Sequence, residues 1–242
     1  MWPFNRKYSI GFSDLLADGS DCHSHLLWGV DDGIREREDS LTCLRIMEEA
    51  GLKSQWITPH IMEDVPNKED DLRERFELLK NDYLATPSAK GHKMELHLGA
   101  EYMMDNLFSE RLEHTPLLTT YESNTVLVET SAVFPPLHLD ETLSSMQSKG
   151  YYPMLAHPER YLYMKEADYR NLSKKGVLLQ LNLPSLTGIY GSDEKARAEW
   201  LLEHGMYYCY GTDTHRVGQL QNTLRDRCLT ARMMDALLCL KR

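Results

Sequence analysis

Two hydrophobic periods alternate along the chain. Apolar residues three or four positions apart, the spacing of an amphipathic helix, predict helices over 34–50, 68–85, 140–149, 167–175 and 193–203 and a long C-terminal helix over 220–238. Short apolar runs of strand type lie between them, over 55–58, 95–98, 125–128, 152–156, 177–181 and 206–210. This alternation indicates βα units around a parallel sheet.

The length favours a single domain. The chain has 242 residues, and one α/β barrel commonly fills about 250. Neither an internal repeat nor a Gly/Ser-rich linker marks a boundary. We therefore expect one domain over residues 19–242, preceded by a surface extension over 1–18.

Polar side chains follow the predicted strands. The apolar runs end at His60, Glu101, Glu129, His157, Asn182 and then Asp213 with His215, and the sequence Asp21-Cys22-His23-Ser24-His25 stands where a first strand would end. All but Asn182 are metal-ligand types. In a barrel the C-terminal strand ends converge on one face, where active sites of this architecture lie. We expect these residues to meet in one cleft.

The pair His23 and His25 is the most specific local signal. Residues two apart in an extended strand point to the same side, so both imidazoles can face one ion. Cys22 then points to the opposite face and is expected in the core. A single histidine after a strand is more often a loop residue than a ligand, so the metal hypothesis depends on the recurrence along the chain.

Nine candidate ligands are too many for one ion. They are His23, His25, Asp32, His60, Glu101, Glu129, His157, Asp213 and His215. One ion takes four to six ligands, so two or three metals are implied. Imidazole mixed with carboxylate suits Mn²⁺, Zn²⁺ or Fe²⁺, and the lack of thiolates argues against a purely structural zinc site.

The charge suggests a small anionic substrate. A net charge of −10 argues against nucleic acid, whose binding depends on basic residues. Three divalent ions would nevertheless outweigh four carboxylates and make a locally positive centre. Arg160 and Arg216 follow ligands, and guanidinium groups bind phosphate oxygens in a fork geometry, which indicates phosphoryl chemistry. Either arginine could instead pair with a carboxylate such as Glu159.

The compartment is expected to be the cytoplasm. The N-terminal residues lack the apolar stretch of a signal peptide, and no window approaches the roughly 20 apolar residues of a membrane span. Five scattered cysteines without a CxxC pair are typical of reduced thiols.

The motifs DCHSHLLWGVDDG, ITPH, GAEY, VLVETS, LAHPERY and GTDTH resemble, in order and spacing, those of the PHP (polymerase and histidinol phosphatase) superfamily. The resemblance covers roughly residues 19–217. The DDG and AHPERY elements are similar to its CpsB/YwqE-like branch, bacterial manganese-dependent protein-tyrosine phosphatases linked to capsule and exopolysaccharide synthesis.

The resemblance implies an α/β fold, a distorted TIM-like (β/α)7 barrel, with three divalent ions at the C-terminal strand ends. They would be Mn²⁺, with Fe or Zn as alternatives. By motif, the first metal would take His23, His25, Asp213 and a bridging Glu101, the second Glu101, Glu129 and His157, and the third Asp32, His60 and His215. Asp32 is preferred to Asp31 as the second residue of DDG. Arg160 matches the family's phosphate arginine, and Arg216 matches less closely.

The implied activity is hydrolysis of phosphotyrosine in proteins by water activated at the metals. The implied partner is the tyrosine-rich C-terminal tail of a bacterial tyrosine kinase. Three alternatives stay open: a histidinol-phosphatase-like phosphomonoesterase, a metal-dependent amidohydrolase, and a non-catalytic module that binds phosphotyrosine. An amidohydrolase usually shows a bridging lysine where this chain has Glu101 or Glu129. The sequence does not specify the oligomeric state.

Overall fold

Helices and strands alternate through the chain, as the hydrophobic periods predict. The computed structural model describes residues 7–11, 15–88, 91, 93–120 and 124–240. Its strands are β1 (Ser20–Asp21), β2 (Ser54–Ile57), β3 (His60–Ile61), β4 (Glu95–Leu98), β5 (Glu101–Met103), β6 (Thr125–Glu129), β7 (Tyr152–Leu155), β8 (Leu178–Asn182) and β9 (Cys209–Gly211). Its helices are α1 (Arg37–Ala50), α2 (Glu69–Ala85), α3 (Asn106–His114), α4 (Leu139–Ser148), α5 (Glu166–Lys174), α6 (Ser192–Glu203), α7 (Val217–Arg225) and α8 (Ala231–Leu238). Short 3₁₀ helices, Pro158–Arg160 and Leu183–Thr187, follow β7 and β8.

The named strands pair in parallel. One group has the order β1-β2-β4 and the other the order β3-β5-β6-β7-β8-β9. Only two residues separate β2 from β3, and only two separate β4 from β5. Each pair therefore forms one longer strand of the sheet with a short interruption. At the second interruption a Cβ on Gly99 would lie 2.2 Å from Thr120 Cγ2, so this close approach requires glycine.

The sheet curls until its last strand meets its first. The amide of Cys22 donates to the carbonyl of Tyr210 (3.2 Å), and the amide of Asp213 donates to the carbonyl of His23 (2.8 Å). Ser24 and Thr214 form a further parallel bridge. The C-terminal ends of the strands therefore face a common centre.

Two apolar clusters hold this arrangement. The larger lies between the sheet and the surrounding helices and includes Leu44 and Met47 of α1. The smaller is formed by Cys22, Leu127, Met154, Ala156 and Cys209. The expectation that Cys22 lies in the core is confirmed, and its Sγ is 2.9 Å from that of Cys209.

The N-terminal segment does not behave as a surface extension where it is described. Ile10, Leu15 and Leu16 are fully buried, which makes that expectation wrong for these residues. The amide of Gly11 donates to the carbonyl of Leu224 (2.8 Å), so the segment packs against the C-terminal helices. The apolar side chains of the N-terminal segment are therefore buried by contact with a distant part of the chain.

The single long C-terminal helix predicted over 220–238 is also wrong. The chain leaves the helical conformation after α7 and pairs with the N-terminal segment through two hydrogen bonds between Tyr8 and Leu229 (2.7 and 3.1 Å). The Thr230 hydroxyl then accepts from the amide of Met233 and begins α8. The apolar spacing is similar in both helices, so the pattern did not reveal the break.

The other predicted helices are present with shifted ends. α1 begins at Arg37 and ends where Gly51 takes a left-handed conformation (φ 100°), and Gly51 donates to the carbonyls of Met47 and Glu48. α3 was not predicted; the Asp105 side chain accepts from the amide of Phe108 at its start. No helix among the described residues is both long and apolar enough to cross a bilayer.

Candidate metal centre

The nine predicted ligands come together at the C-terminal ends of the strands. His23 and His25 follow β1, and both side chains are fully buried. Their Nε2 atoms lie 3.1 Å apart, as expected for residues two apart in an extended segment that face one point. The remaining seven approach this pair from β3, β5, β6 and the loops after β1, β7 and β9.

Glu101 is at the centre of the cluster. Its Oε2 lies 3.2 Å from each of three imidazole nitrogens, which belong to His23, His25 and His60. Its Oε1 lies 2.9 Å from Nε2 of His157. One carboxylate therefore contacts four histidines from three strand ends, the arrangement expected of a bridging ligand.

The other carboxylates surround this centre. Asp213 Oδ1 lies 3.5 Å from His23 Nε2 and 3.3 Å from His25 Nε2. Glu129 Oε1 lies 3.1 Å from His60 Nδ1. Asp32 Oδ1 lies 3.5 Å from His60 Nε2 and is itself mostly exposed, so it closes the group on the solvent side.

Three overlapping groups have ligand atoms within 4.8 Å of one another. They are His23, His25 and Glu101; His60, Glu101 and Glu129; and His25, Asp32, His60 and His215. His25, His60 and Glu101 each belong to two of these groups. The group of His60, Glu101 and Glu129 differs from the expected set of Glu101, Glu129 and His157, because His60 takes the place of His157. His157 nevertheless contacts Glu101.

The donor set suits cations. Among the described residues, four buried atoms of the cluster lack a hydrogen-bond partner: His60 Nδ1, Glu101 Oε2, Glu129 Oε1 and Asp213 Oδ1. A buried polar atom without a partner is costly, and a charged one more so. Divalent ions coordinated by these nitrogen and oxygen atoms would satisfy them.

Without a bound metal, protonated imidazoles partly balance the negative charge of the buried carboxylates. Burial alone lowers the pKa of His23, but Glu101 and Asp213 outweigh it and raise that pKa to about 9. Burial likewise raises the pKa of the Asp213 carboxyl, yet the imidazoles around it, His23 first, hold it well below its usual range. Metal binding would therefore release protons.

Neighbouring side chains orient the histidines. His25 Nδ1 donates to Asp31 Oδ2 (2.9 Å), which also accepts the amide of His60 (3.0 Å). His23 Nδ1 donates to Gln180 Oε1 (3.0 Å). In the neutral form of each ring, these bonds place the lone pair on Nε2, the atom that faces the cluster and would bind a metal.

The backbone is strained at two of the ligands. His157 and Asp213 have positive φ angles of 32° and 48° without being glycine. Such conformations cost on the order of 1–3 kcal/mol and persist where the surroundings impose them, often at functional sites. Each residue lies two positions after the end of a strand, β7 or β9, where the turn aims the side chain into the cluster.

A cavity of about 310 Å³ opens over the cluster. Besides seven of the nine candidate ligands, it is lined by Met62, Arg160, Tyr190 and Gln219. The Arg160 guanidinium lies over the Tyr190 ring, 4.9 Å from its centroid, and its Nη1 is 3.5 Å from Asp213 Oδ2. The predicted phosphate arginine thus reaches the cavity.

Arg216 has a different environment. Its Nη1 donates to the backbone carbonyls of Asp32 (2.5 Å), Gly33 (2.8 Å) and His215 (2.7 Å). It is not among the residues that line the cavity. The guanidinium therefore ties the loop that carries Asp32 to the segment that carries His215.

Three contributors were missed or set aside from sequence. Asp31 was passed over for its neighbour, although it orients His25 from within the same DDG element. Gln180 lies two residues before the strand end at Asn182, a spacing that could have flagged it. Tyr190 follows a 3₁₀ helix and has no local signal; its hydroxyl accepts from Asn182 Nδ2 (3.2 Å).

The parallel sheet is curled and carries a cluster of histidines and carboxylates at its C-terminal strand ends. This arrangement is typical of α/β hydrolases that bind metal ions. A family model described as "Capsular polysaccharide synthesis, CpsB/CapC" matches residues 20–234. The chain belongs to this family, which confirms the resemblance seen in its motifs.

Individual relatives agree with the family. The chain is 28% identical over 209 residues to "Tyrosine-protein phosphatase YwqE" of Bacillus subtilis, covering 81% of this chain and 77% of that protein. It is 28% identical over 207 residues to "Tyrosine-protein phosphatase CpsB" of Streptococcus pneumoniae, covering 81% and 83%.

Solved structures share the fold. A crystal structure from work on YwqE and CpsB, described as metal-dependent tyrosine phosphatases, superposes with a TM-score of 0.73 at 24% identity, covering 90% of this chain and 85% of that one. Histidinol phosphate phosphatase of Lactococcus lactis, solved with zinc, L-histidinol and phosphate, gives 0.52 at 13% identity, covering 93% and 95%. At these identities the likeness shows the fold alone.

Proposed function

We propose that this protein is a metal-dependent protein-tyrosine phosphatase. The observation that carries the proposal is the cluster of five histidines and four carboxylates with Arg160 at its edge. Membership of the CpsB/CapC family and the names of the relatives support the same activity.

The nine ligands would hold three divalent ions, most suitably Mn²⁺. Bound ions of this kind lower the pKa of a coordinated water from 15.7 towards about 7 and offset phosphate charge. His23 and His25 with Asp213 would serve one ion, and Asp32, His60 and His215 another. Glu129 and His157 would complete the third position, with Glu101 shared between neighbours because it contacts histidines of all three groups.

Arg160 is the residue placed to hold the substrate phosphate. Its guanidinium reaches the cavity beside Asp213 and can donate two parallel hydrogen bonds to phosphate oxygens. That contact would stabilise charge on the equatorial oxygens as the ester bond breaks. Arg216 is assigned to positioning the Asp32 loop instead, since its Nη1 binds backbone carbonyls there.

The chain needs no strong proton donor for a tyrosine leaving group. A phenol has a pKa near 10, far below that of an alkyl alcohol, so it departs readily as the phenolate. Activated water would serve as the nucleophile instead of a cysteine. None of the described residues that line the cavity is a cysteine, and Cys22 packs in the interior cluster.

The proposal extends to partner, place and architecture. The substrate would be the phosphorylated C-terminal tail of a bacterial tyrosine kinase that controls capsule synthesis, and the reaction would take place in the cytoplasm. Residues 19–242 would form the phosphatase domain. Its strands would close as a distorted (β/α)7 barrel, which the contacts between the first and last strands support.

The test is a side-by-side assay on chelated and Mn²⁺-reloaded protein. Substrates are a phosphotyrosine peptide, the same peptide with phosphoserine, and histidinol phosphate. We expect turnover of the phosphotyrosine peptide only after reloading, and retention of activity in Cys22→Ser. Faster turnover of histidinol phosphate would redirect the assignment to the small-molecule phosphatase. Tight phosphopeptide binding without turnover would indicate a binding module.

A further inference from the structure

Exposed apolar side chains concentrate in the loops that follow three neighbouring strand ends of the sheet. Nine large hydrophobic side chains are exposed among the described residues, and five of them lie in the loops after three neighbouring strands, β6, β7 and β8. These five are Val133 (71% exposed), Phe134 (71%), Leu137 (92%), Leu162 (41%) and Ile189 (57%). We call them the apolar rim.

The three loops adjoin one another and the site. The 730 Å³ cavity beside them is lined by Pro135 and Leu137 from the first loop and by Tyr163 from the second. The second and third loops meet where Arg160 lies over Tyr190. The rim thus follows the three strand positions that supply Glu129, His157 and Asn182. Two of its members stand close in sequence to residues that line the 310 Å³ cavity, Leu162 to Arg160 and Ile189 to Tyr190.

Hydrogen bonds of the amides order the backbone at three of the five rim residues. The Ser131 hydroxyl accepts from the amides of Val133 (3.2 Å) and Phe134 (3.3 Å). The Thr187 hydroxyl accepts from the amide of Ile189 (3.3 Å). An apolar side chain held in water by an ordered backbone is a feature of interaction surfaces, particularly when several lie close together.

The opposite side of the mouth is charged. The loop after β1 exposes Asp32, Arg35 and Glu36, and the loop after β3 exposes Glu63 and Asp64. The cavity of about 310 Å³ accommodates a phosphorylated side chain, so the polypeptide that carries it must lie across the mouth. The apolar side offers contacts to apolar residues, whereas the acidic side repels acidic ones.

We infer that the apolar rim is the docking surface for the substrate polypeptide and selects phosphotyrosines flanked by apolar or aromatic residues. This inference depends on the proposed phosphatase function and specifies its substrate class. The rim residues act by covering apolar surface of the bound peptide.

The test compares two phosphotyrosine peptides of equal length and charge, one with Leu, Ile and Phe beside the phosphotyrosine and one with Ser and Gly. The protein is the full chain loaded with Mn²⁺, and p-nitrophenyl phosphate is the reference substrate. We expect kcat/KM for the apolar peptide to exceed that for the polar peptide about tenfold, the order of effect of covering one or two apolar side chains. The double variant Phe134→Ser with Leu137→Ser should lose most of that ratio.

The matched control is Leu78→Ser with Leu84→Ser, two exposed leucines on α2, a helix with no residue in the cavity lining. It should keep the wild-type ratio. An unchanged ratio in the rim variant, or no peptide preference in the wild type, overturns the inference. So does a change in self-association by light scattering with the ratio intact, because the rim would then bind a second copy. Failure of the wild type on all phosphotyrosine substrates and p-nitrophenyl phosphate would instead overturn the phosphatase function.

Discussion

Replacing Arg160 with alanine removes the guanidinium that we propose binds the substrate phosphate. The side chain is 31% exposed, lies 4.9 Å above the Tyr190 ring and reaches Asp213 Oδ2 at 3.5 Å. Losing one preorganised donor in a transition state costs about 2.7–4 kcal/mol, or about 10²- to 10³-fold in rate. Partial exposure to solvent weakens the interaction, so we expect the lower end, about a 100-fold loss of kcat/KM on a phosphotyrosine peptide.

The measurement pairs these kinetics with elemental analysis of the same samples. Arg160→Lys keeps the charge without the fork and should give an intermediate value. Arg170→Ala is the matched control, since Arg170 also lies over an aromatic ring, that of Trp200 at 5.5 Å, but outside the cavity lining. Wild-type kinetics in Arg160→Ala, or a loss of bound metal that explains the defect, would refute the assigned role.

Three further predictions concern the surroundings of the centre. Tyr190→Ala should lower kcat/KM about three- to tenfold, because a ring beneath a guanidinium contributes on the order of 1 kcal/mol to holding Arg160, whereas Tyr190→Phe should lose less. Metal-free protein should lose stability as the pH rises. Burial lowers the pKa of His23, but the neighbouring carboxylates raise it to about 9, above its ordinary 6.5. The contribution of protonated His23 to the free energy of unfolding is therefore fully present below about pH 6.5 and is lost as the pH rises through 9. This contribution is on the order of 3 kcal/mol and is measured by thermal unfolding. Tyr207→Phe removes a hydrogen-bond donor from the fully buried Glu159 carboxylate (2.9 Å) and should cost about 1–3 kcal/mol in urea unfolding.

Each prediction has its own contradicting result. Equal losses in Tyr190→Phe and Tyr190→Ala would assign the effect to the hydroxyl. A melting temperature of metal-free protein that stays level between pH 6.5 and pH 9 would argue against protonated His23. An unfolding midpoint in Tyr207→Phe that matches Tyr152→Phe, a change at an exposed tyrosine, would show that the buried carboxylate tolerates the loss of this donor.

Most of the candidate ligands could be predicted because they stand at or just after the end of a patterned strand, whereas Asp32 lies in the loop after β1 and was chosen from the DDG motif. The run 126–128 is apolar throughout, so the carboxylate at Glu129 is conspicuous as the strand ends. Parallel strands bring such ends together whatever the loops do, which is why residues as distant as His23 and His215 share one cluster.

Contacts made between loops were not predictable in the same way. Tyr190 meets Arg160 only through folding of the segments after β7 and β8, and no period in the sequence records that contact. The C-terminal break has the same origin, because the hydrogen bonds of Leu229 go to Tyr8 near the other end of the chain. Local patterns therefore indicated which residues reach the centre and left open what orients them.

The central claim, that this cluster binds metal and hydrolyses phosphotyrosine, is tested most directly by titrating Mn²⁺ into chelated protein. Bound metal and turnover of one phosphotyrosine peptide are followed in the same samples. We expect no turnover in the metal-free protein and activity that rises as the sites fill. Full turnover in protein shown by elemental analysis to be free of metal would contradict it.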